Sequence, residues 1–223
     1  MNNLIGKVTQ GDCLTVMQGM PDNCVDLVLT DPPYGIKRDK GFGGADGFGG
    51  NGKPIPRNIY SDNWDYEIPS KEYFYEILRI SKNTMIFGGN FFAHILPQST
   101  HWIFWDKIQT MPTFGDGELI WTNFKKKSIK KYVFEFNGLL SASKDKREHP
   151  TQKPSELIEW LIRDYSSKDD IMCDPYLGSG TTAVACERLG RRWIGIEQEE
   201  KYCTIARERI KKEQDQLKLP MEN

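Results

Sequence analysis

The chain has 223 residues, of which 38% are hydrophobic, and its formal net charge is −1. This length is typical of one domain with a substantial core, and the balanced charge restricts any nucleic-acid surface to local clusters of basic residues. Five scattered cysteines without a C-x-x-C pair and three separate histidines argue against a metal site and against disulfides. No apolar run is long enough to cross a membrane and no secretory segment is recognisable, so we expect a cytoplasmic protein with reduced thiols.

The first part of the chain predicts a strand, a helix and a second strand that ends at two prolines. The strands are predicted over residues 4–9 and Val25–Thr30, and the helix begins near Leu14. The tetrapeptide Asp31-Pro32-Pro33-Tyr34 follows the second strand directly. Because proline fixes its φ angle and has no N–H, the chain leaves the sheet here in a defined shape. An acid and an aromatic ring therefore stand at the carboxyl end of a strand, where open α/β sheets bind ligands.

Residues 35–66 are rich in glycine and have no period that would form a core. They include Gly41-Phe42-Gly43-Gly44 and Gly47-Phe48-Gly49-Gly50. Long loops in compact domains are usually functional or disordered, and this one follows a candidate site. We predict a mobile loop insertion that contacts substrate, with a flexible insertion of no function as the alternative.

The middle of the chain predicts a helix from Ser70 and several short elements. We predict strands over 84–87, 101–105 and 118–121, and a short helix over 91–96 that is stopped by Pro97. A basic segment, residues 125–131, then leads into a strand over 132–136. Within the interval 122–148, this segment predicts a hairpin loop that joins two antiparallel strands at one edge of the sheet.

The last part of the chain alternates helices with strands. Helices are predicted from Ser155, over Thr181–Leu189 and over Glu200–Leu217, with strands over 171–173 and 193–196. Strands that alternate with helices indicate an α/β fold with a mostly parallel sheet flanked by helices. No repeat or domain boundary is evident, so residues 1–223 are predicted to form a single domain.

A glycine loop, residues 174–182, lies between one of these strands and the helix after it. Gly178 and Gly180 allow backbone to approach a ligand, and the helix that follows offers free N–H groups. One strand later Glu197 stands where nucleotide-binding sheets place an acid on ribose hydroxyls. The phosphate-binding G-x-x-x-x-G-K-[ST] and the dinucleotide-binding G-x-G-x-x-G are both absent.

The tetrapeptide and the glycine loop together resemble the amino-group DNA methyltransferases that use S-adenosylmethionine. Their order, with the catalytic motif first, resembles the permuted β group, as does His149-Pro150-Thr151-Gln152-Lys153-Pro154. The resemblance implies a Rossmann-like methyltransferase fold over almost the whole chain. Two departures are Tyr176, where these enzymes more often have Phe, and a short interval before His149 that leaves little room for a target-recognition segment.

The same resemblance implies a role for each matching residue. The catalytic residues are Asp31, Pro32, Pro33 and Tyr34. S-adenosyl-L-methionine would be bound by Asp12, Cys13, Lys153, Asp174, Pro175, Tyr176, Gly178, Ser179, Gly180, Thr181, Thr182 and Glu197. For Asp12 an N-cap and for Lys153 a surface position are the structural alternatives. The lysines of the basic segment, which are predicted to contact DNA phosphates, are Lys125, Lys126, Lys127, Lys130 and Lys131.

The expected activity is methyl transfer from S-adenosylmethionine to the N6 amino group of adenine in double-stranded DNA. Asp at the head of the tetrapeptide favours adenine, and cytosine N4 is the alternative. Methylation of RNA or of a protein amide, and a catalytically silent binding protein, are remoter alternatives. The sequence leaves open a homodimer and a cognate restriction endonuclease as partners.

Overall fold

The computed structural model describes residues 1–36, 68–108, 115–135 and 152–218. These residues form eight strands and five helices. In chain order they are β1 Lys7–Gln10, α1 Cys13–Gln18, β2 Val25–Thr30, α2 Lys71–Ile80, β3 Ser81–Phe87, β4 His101–Asp106, β5 Gly117–Thr122, β6 Ser128–Val133, α3 Ser155–Tyr165, β7 Ile171–Asp174, α4 Thr181–Arg188, β8 Arg192–Glu197 and α5 Glu200–Lys218.

The strands form a single mixed sheet in the order β1-β8-β7-β2-β3-β5-β4-β6. Among the described strands only β5 runs antiparallel to its neighbours, which are β3 and β4. The remaining pairs are parallel. The predicted α/β fold with a mostly parallel sheet is therefore confirmed. The carboxyl edge of the sheet, as we call it below, is the edge at which the parallel strands end and β5 begins.

The core lies between the sheet and the helices α3, α4 and α5. Leu27 and Leu29 of β2 face this core, and alternation along the strand turns Val28 to the opposite face. Helix α3 contributes the apolar face that its spacing predicted: Leu157, Ile158, Leu161 and Ile162. Each such buried side chain contributes roughly 1.5–3 kcal/mol to stability. The central parallel strands β2, β7 and β8 are buried on both faces.

The chain divides into two units, Met1–Asp31 with Ser70–Asn223, and Pro32–Pro69. The first unit contains all the strands and helices given above. In the second unit, Gly35 has a φ of +71° and a Cβ there would lie 2.9 Å from Cγ1 of Ile68. Most of the predicted mobile loop, 35–66, lies outside the described residues. No helix in the described parts of the chain is long and apolar enough to cross a membrane.

Two elements predicted from the sequence, the helix over 91–96 and the hairpin around the basic segment, are wrong. Residues 91–96 form turns, in which the N–H groups of Ile95 and Leu96 both donate to the Phe92 carbonyl oxygen at 2.9 Å. The first turn of a helix costs conformational entropy, because it fixes several residues for few hydrogen bonds. Pro97 prevents the helix from growing, so no further hydrogen bonds compensate for this cost.

The second wrong prediction is the hairpin around the basic segment. Strand β6 begins at Ser128 and pairs in parallel with β4, with His101 opposite Ser128 and Asp106 opposite Val133. The chain after β5 therefore crosses the amino end of β4 before it enters the sheet. The antiparallel hairpin near this edge consists of β4 and β5.

Candidate active site

Asp31 follows β2 at the carboxyl edge, where its carboxylate is paired with a buried lysine. The Lys153 ammonium donates to Oδ2 of Asp31 at 2.5 Å. The Lys153 side chain is 9% exposed and that of Asp31 is 22% exposed. Lys153 stands just before α3, 122 positions along the chain from Asp31. The structure therefore places Lys153 directly on the predicted catalytic carboxylate, and contact between Lys153 and the cofactor remains a prediction.

This ion pair belongs to a longer chain of alternating charges. Nζ of Lys153 lies 3.4 Å from Oε2 of Glu118, and Nζ of Lys107 donates to Oε1 of Glu118 at 2.6 Å. Glu118 reaches the carboxyl edge because β5 runs antiparallel and begins there. Lys153 also lies over the Phe87 ring, at 5.1 Å from the centroid. Four separate segments thus meet beside Asp31.

The rest of the tetrapeptide continues directly from Asp31. Pro32, Pro33 and Tyr34 have neither helical nor strand structure and begin the second unit of the chain. Their catalytic roles remain predictions that follow from their adjacency to Asp31.

Asp174 ends β7 and begins the glycine loop, next to β2 in the sheet. Its carboxylate accepts hydrogen bonds from Oγ1 of Thr182 at 2.7 Å and from the Tyr176 N–H at 3.1 Å. Burial raises the pKa of Asp174 to about 7, although these hydrogen bonds oppose the shift. A buried carboxylate of this kind favours a cationic partner. The two predicted motifs therefore do lie at the carboxyl ends of neighbouring parallel strands.

The two glycines of this loop have different physical roles. Both have positive φ angles, +54° at Gly178 and +87° at Gly180. A Cβ at Gly180 would lie 2.9 Å from Cβ of Ala206, so Gly180 permits α4 and α5 to pack closely. A Cβ at Gly178 would meet no atom within 4 Å. Gly178 therefore borders open space, which a ligand could fill.

Glu197, at the end of β8, holds the loop from the other side. Its Oε2 accepts from the Gly178 N–H and its Oε1 from the Glu199 N–H, both at 2.8 Å. Burial raises the pKa of Glu197, and these backbone hydrogen bonds oppose the rise. Each carboxylate oxygen has a second acceptor position, so Glu197 can still receive hydroxyl groups of a ligand.

Asp12 and Cys13, at the start of α1, lie close to Tyr176 of the glycine loop. Asp12 is the N-cap of α1, and its Oδ1 accepts from the Thr15 N–H at 2.8 Å. The structural alternative for Asp12 is thus confirmed, and it leaves the cofactor role as a prediction. The Tyr176 hydroxyl interacts with the Cys13 thiol, and burial raises the pKa of Cys13 to about 11. The hydroxyl that distinguishes Tyr176 from Phe therefore has a partner within the fold.

Two further residues support the glycine loop: Gln152, from the motif at 149–154, and Arg209, which no sequence motif marks. Oγ of Ser179 donates to Oε1 of Gln152 at 3.1 Å. Nη1 of Arg209, on α5, donates to the Ser179 carbonyl oxygen at 2.6 Å and to Oγ1 of Thr181 at 3.3 Å. Arg209 lies three residues after Ala206 and so shares its helix face, but no motif marks either residue. Glu118 and Lys107 were missed for the same reason.

The basic segment lies away from Asp31. Its lysines are exposed, and residues 125–127 precede β6 at the amino edge, which is opposite the carboxyl edge. A six-residue strand such as β6 spans roughly 17–20 Å between those edges. Nζ of Lys126 lies 4.5 Å from the centroid of the Tyr165 ring, and Lys131 pairs with Asp106 at 3.0 Å. Phosphate contact by these lysines remains a prediction.

The motif at 149–154 is described only in part: Gln152, Lys153 and Pro154 lie within the described residues, whereas His149, Pro150 and Thr151 lie outside them.

Among the described residues, no group of three or more His, Cys, Asp or Glu side chains is arranged to hold a metal ion. All five cysteines are free thiols.

Comparison with known sequences identifies related enzymes. Residues 98–208 match the model of the N6_N4_Mtase family, described as DNA methylase. The type II methyltransferase M.HpaI of Haemophilus parainfluenzae is 29% identical, over 91% of this chain and 73% of that protein. The type II methyltransferase M.HinfI of Haemophilus influenzae is 25% identical, over 95% of this chain and 70% of that protein.

Solved structures show the same fold. M1.HpyAVI in complex with S-adenosylmethionine has a TM-score of 0.60 at 22% identity, with 92% of this chain and 98% of that chain covered. The cytosine-N4-specific PvuII DNA methyltransferase also has a TM-score of 0.60, at 16% identity, with 95% and 94% covered. These similarities confirm the predicted Rossmann-like fold.

Proposed function

We propose that this chain is a DNA methylase that uses S-adenosylmethionine and that its target is the N6 amino group of adenine in duplex DNA. The observation that carries this proposal is the position of Asp31. Its carboxylate stands at the end of β2, beside the strand that leads into the glycine loop. This arrangement supports the proposal, in which Asp31 accepts a hydrogen bond from the target amino group and the loop after the adjacent strand binds the methyl donor.

The residues around the glycine loop fit S-adenosylmethionine chemically. Asp174 and Glu197 are buried carboxylates, and burial raises the pKa of each. A ligand that brings positive charge and hydroxyl donors relieves this cost of burial. We assign Asp174 to the amino-acid end of the cofactor and Glu197 to its ribose, with Gly178 leaving space between them. When bound, the cofactor supplies an electrophilic methyl group on a sulfonium.

Asp31 is proposed to prepare the target nitrogen. The lone pair of an exocyclic amino group is delocalised into its ring, which makes the nitrogen a weak nucleophile. A hydrogen bond from that amino group to the Asp31 carboxylate, and a second to the Pro32 carbonyl oxygen, favour the pyramidal nitrogen with its lone pair available. This is catalysis by orientation and charge stabilisation, without a covalent enzyme intermediate.

Tyr34 is proposed to stack on the target base after the base has left the duplex. An amino group within the helical stack cannot reach a methyl donor, so enzymes of this kind extrude the base and hold it against aromatic side chains. Pro33 limits the motion of the chain between Asp31 and Tyr34.

The choice of adenine rests on Asp31 at the head of the tetrapeptide, as the family resemblance implies. The similarity to a cytosine-N4-specific enzyme concerns the fold and leaves the target base undecided. The permuted order of the two motifs likewise supports assignment to the β group. The five free thiols support a reducing compartment such as the cytoplasm.

Nucleoside analysis tests this proposal. Unmethylated duplex DNA, incubated with the protein and isotopically labelled S-adenosylmethionine, is digested and its nucleosides are separated by mass spectrometry. The proposal predicts labelled N6-methyldeoxyadenosine from DNA and no labelled product from parallel RNA or protein samples. Labelled N4-methyldeoxycytidine would establish cytosine as the target instead. Absence of label in DNA would contradict the proposed activity.

A further inference from the structure

Lys153 is unusual among the lysines of the described chain because it is buried against carboxylates at the carboxyl edge. Its Nζ lies 2.5 Å from Oδ2 of Asp31 and 3.4 Å from Oε2 of Glu118, and the side chain is 9% exposed. A buried ammonium requires charge partners and hydrogen bonds, since desolvation alone opposes its charge. Lys153 has both, so its place in the fold is specified by Asp31 and Glu118 together.

The ionisation of Asp31 depends in turn on Lys153. Asp31 faces Lys153 and, through it, Glu118, and on the neighbouring strand it faces Asp174, whose pKa is raised mainly by burial and further by the Asp31 charge. Lys153 is the cation between the two carboxylates of Asp31 and Glu118. Lys107 would still pair with Glu118 at 2.6 Å after removal of the Lys153 charge, but Asp31 would lose its cation and remain near Asp174 and Glu118, which favours protonation of Asp31. A protonated Asp31 accepts hydrogen bonds from an amino group less well.

We propose that Lys153 is a positioning residue that keeps the Asp31 carboxylate ionised and oriented. The ion pair through Oδ2 restricts rotation of the carboxylate about its Cβ–Cγ bond. Gln152, the preceding residue, binds Ser179 of the glycine loop. Consecutive residues before α3 therefore contact both the catalytic carboxylate and the glycine loop. The consequence for methyl transfer rests on the function proposed above, whereas the hold of Lys153 on Asp31 does not.

Titration of Asp31 tests the proposal without reference to activity. Aspartate side chains are labelled with carbon-13 at the carboxyl carbon, and the Asp31 signal is assigned by its loss in Asp31→Asn. In Lys153→Gln, the Asp31 signal should titrate about one to three pH units higher than in the wild-type protein. In Glu118→Gln, which removes a neighbouring anion, it should titrate at lower pH. The two shifts have opposite signs, which a general loosening of the fold would not produce.

Methyl transfer provides the second readout. At pH 7 the kcat of Lys153→Gln should fall by up to about 100-fold, as expected for a misplaced catalytic group. The deficit should shrink as the pH rises, because Asp31 becomes ionised again. Calorimetry separates this role from the cofactor contact that the family resemblance implies for Lys153. Affinity for S-adenosylmethionine should stay close to that of the wild-type protein, and a loss of affinity as large as the loss of kcat would overturn the positioning role.

Lys82→Gln is the matched control. Lys82 pairs at 2.7 Å with Asp26 of β2, the strand that precedes Asp31, but its side chain is 59% exposed. This variant should keep the wild-type kcat and the wild-type titration of Asp31. An unchanged Asp31 signal in both Lys153→Gln and Glu118→Gln would overturn the proposal, as would a loss of kcat in Lys153→Gln that is the same at every pH. If the Asp31 titration shifts as predicted but the wild-type protein transfers no methyl group, the proposed function is contradicted. The effect of Lys153 on Asp31 is still established in that case.

Discussion

The glycine loop and the tetrapeptide follow adjacent parallel strands, but the fold supports them in different ways. The glycine loop is held by several hydrogen bonds: Asp174 accepts from Thr182, Glu197 accepts from Gly178, and Gln152 and Arg209 bind Ser179 from 27 and 30 positions away. Asp31 is instead held by Lys153, a residue 122 positions away in the chain. The glycine loop therefore has several supports at short and intermediate separation, whereas Asp31 depends on an ion pair with a distant residue.

This difference has a functional consequence. A loop with several supports can bind its ligand before any substrate arrives, because its hydrogen bonds form with the fold. A carboxylate whose charge depends on a distant lysine responds to changes in several separate segments. We therefore expect substitutions to separate cofactor binding from methyl transfer, and the predictions below test that separation from the largest expected effect to the smallest.

Replacement of the catalytic carboxylate should give the largest effect. Asp31→Ala should lower the rate of methyl transfer by about 10²–10³-fold or more, because a group that stabilises charge at the reacting nitrogen is lost. Calorimetric affinity for S-adenosylmethionine should be nearly unchanged, since Asp31 is not part of the glycine loop. Lys153 retains Glu118 as a partner, so the variant should fold. Parallel loss of cofactor affinity would show that the two loops do not act separately.

The two glycines should respond differently to the same substitution. Gly180→Ala places a Cβ 2.9 Å from Cβ of Ala206, so it should lower stability by about 1–3 kcal/mol through overpacking, in addition to backbone strain. Gly178→Ala meets open space and should cost only the strain of its positive φ, roughly 1–2 kcal/mol.

Calorimetry completes this comparison. Gly178→Ala should weaken S-adenosylmethionine binding more than its small loss of thermal stability accounts for, because its methyl group enters the space assigned to the ligand. Full affinity in a folded Gly178→Ala protein would argue that the cofactor lies elsewhere.

Cofactor affinity should depend on pH near neutrality. Burial raises the pKa of Asp174 to about 7, so below that pH the ligand-free protein holds a proton that a cationic ligand must displace. Affinity should therefore rise with pH, by up to about tenfold per unit below pH 7, and level off above it. Thr182→Val removes a hydrogen bond to the ionised carboxylate and should move this transition to higher pH. A flat affinity profile between pH 5.5 and 8.5, measured by calorimetry, would exclude Asp174 as a ligand of a cationic group.

The same shift affects stability with the opposite sign. The ordinary pKa of an aspartate side chain is 3.8, so the folded state binds the Asp174 proton more tightly than the unfolded chain does. The ligand-free protein should therefore lose stability as the pH rises from about 4 to 7. Denaturant unfolding in Asp174→Asn should lack this component.

The basic segment should give the smallest effect. Residues 125–127 stand at the amino edge, so a duplex bound at the carboxyl edge reaches few of them. Changing Lys126, Lys127 and Lys130 to Gln should flatten the log–log salt dependence of DNA binding by about one unit or less, since each phosphate contact contributes nearly one unit. Sequence preference should survive, because phosphate contacts do not read bases. Changing Lys201, Lys211 and Lys212 of α5 to Gln provides a control that removes the same number of charges. A decrease of two or three units in the log–log salt slope, seen only in the variant of the basic segment, would identify that segment as the main phosphate-binding surface.

The sequence predicted the parts of this structure that depend on short-range patterns. The strand Val25–Thr30 and the apolar face of α3 follow from alternation and helical spacing, and the N-cap at Asp12 follows from its place before an apolar helix. The adjacency of β2 and β7 agrees with the methyltransferase fold that the family resemblance implies. These features share one property: the residues that determine them are close in the chain or belong to a recognisable motif.

The remaining features depend on pairing between distant segments. The position of β6 was predicted wrongly because a basic loop between two apolar runs is typical of a hairpin, and the parallel pairing with β4 leaves no local signal. Glu118 reaches Lys153 only because β5 runs antiparallel to its neighbours. Arg209 supports Ser179 from a helix whose sequence is generally charged. Such contacts are set by topology, which periodicity does not encode.

The most direct test of the central claim is modified-base sequencing of DNA from cells that express this chain. Cells with the wild-type protein should carry methylated adenines that are absent from cells with Asp31→Ala, with the two proteins at equal abundance and with equal affinity for S-adenosylmethionine. Methylated adenine at the same level in both cultures, or in neither, would contradict the claim that Asp31 directs methyl transfer to DNA.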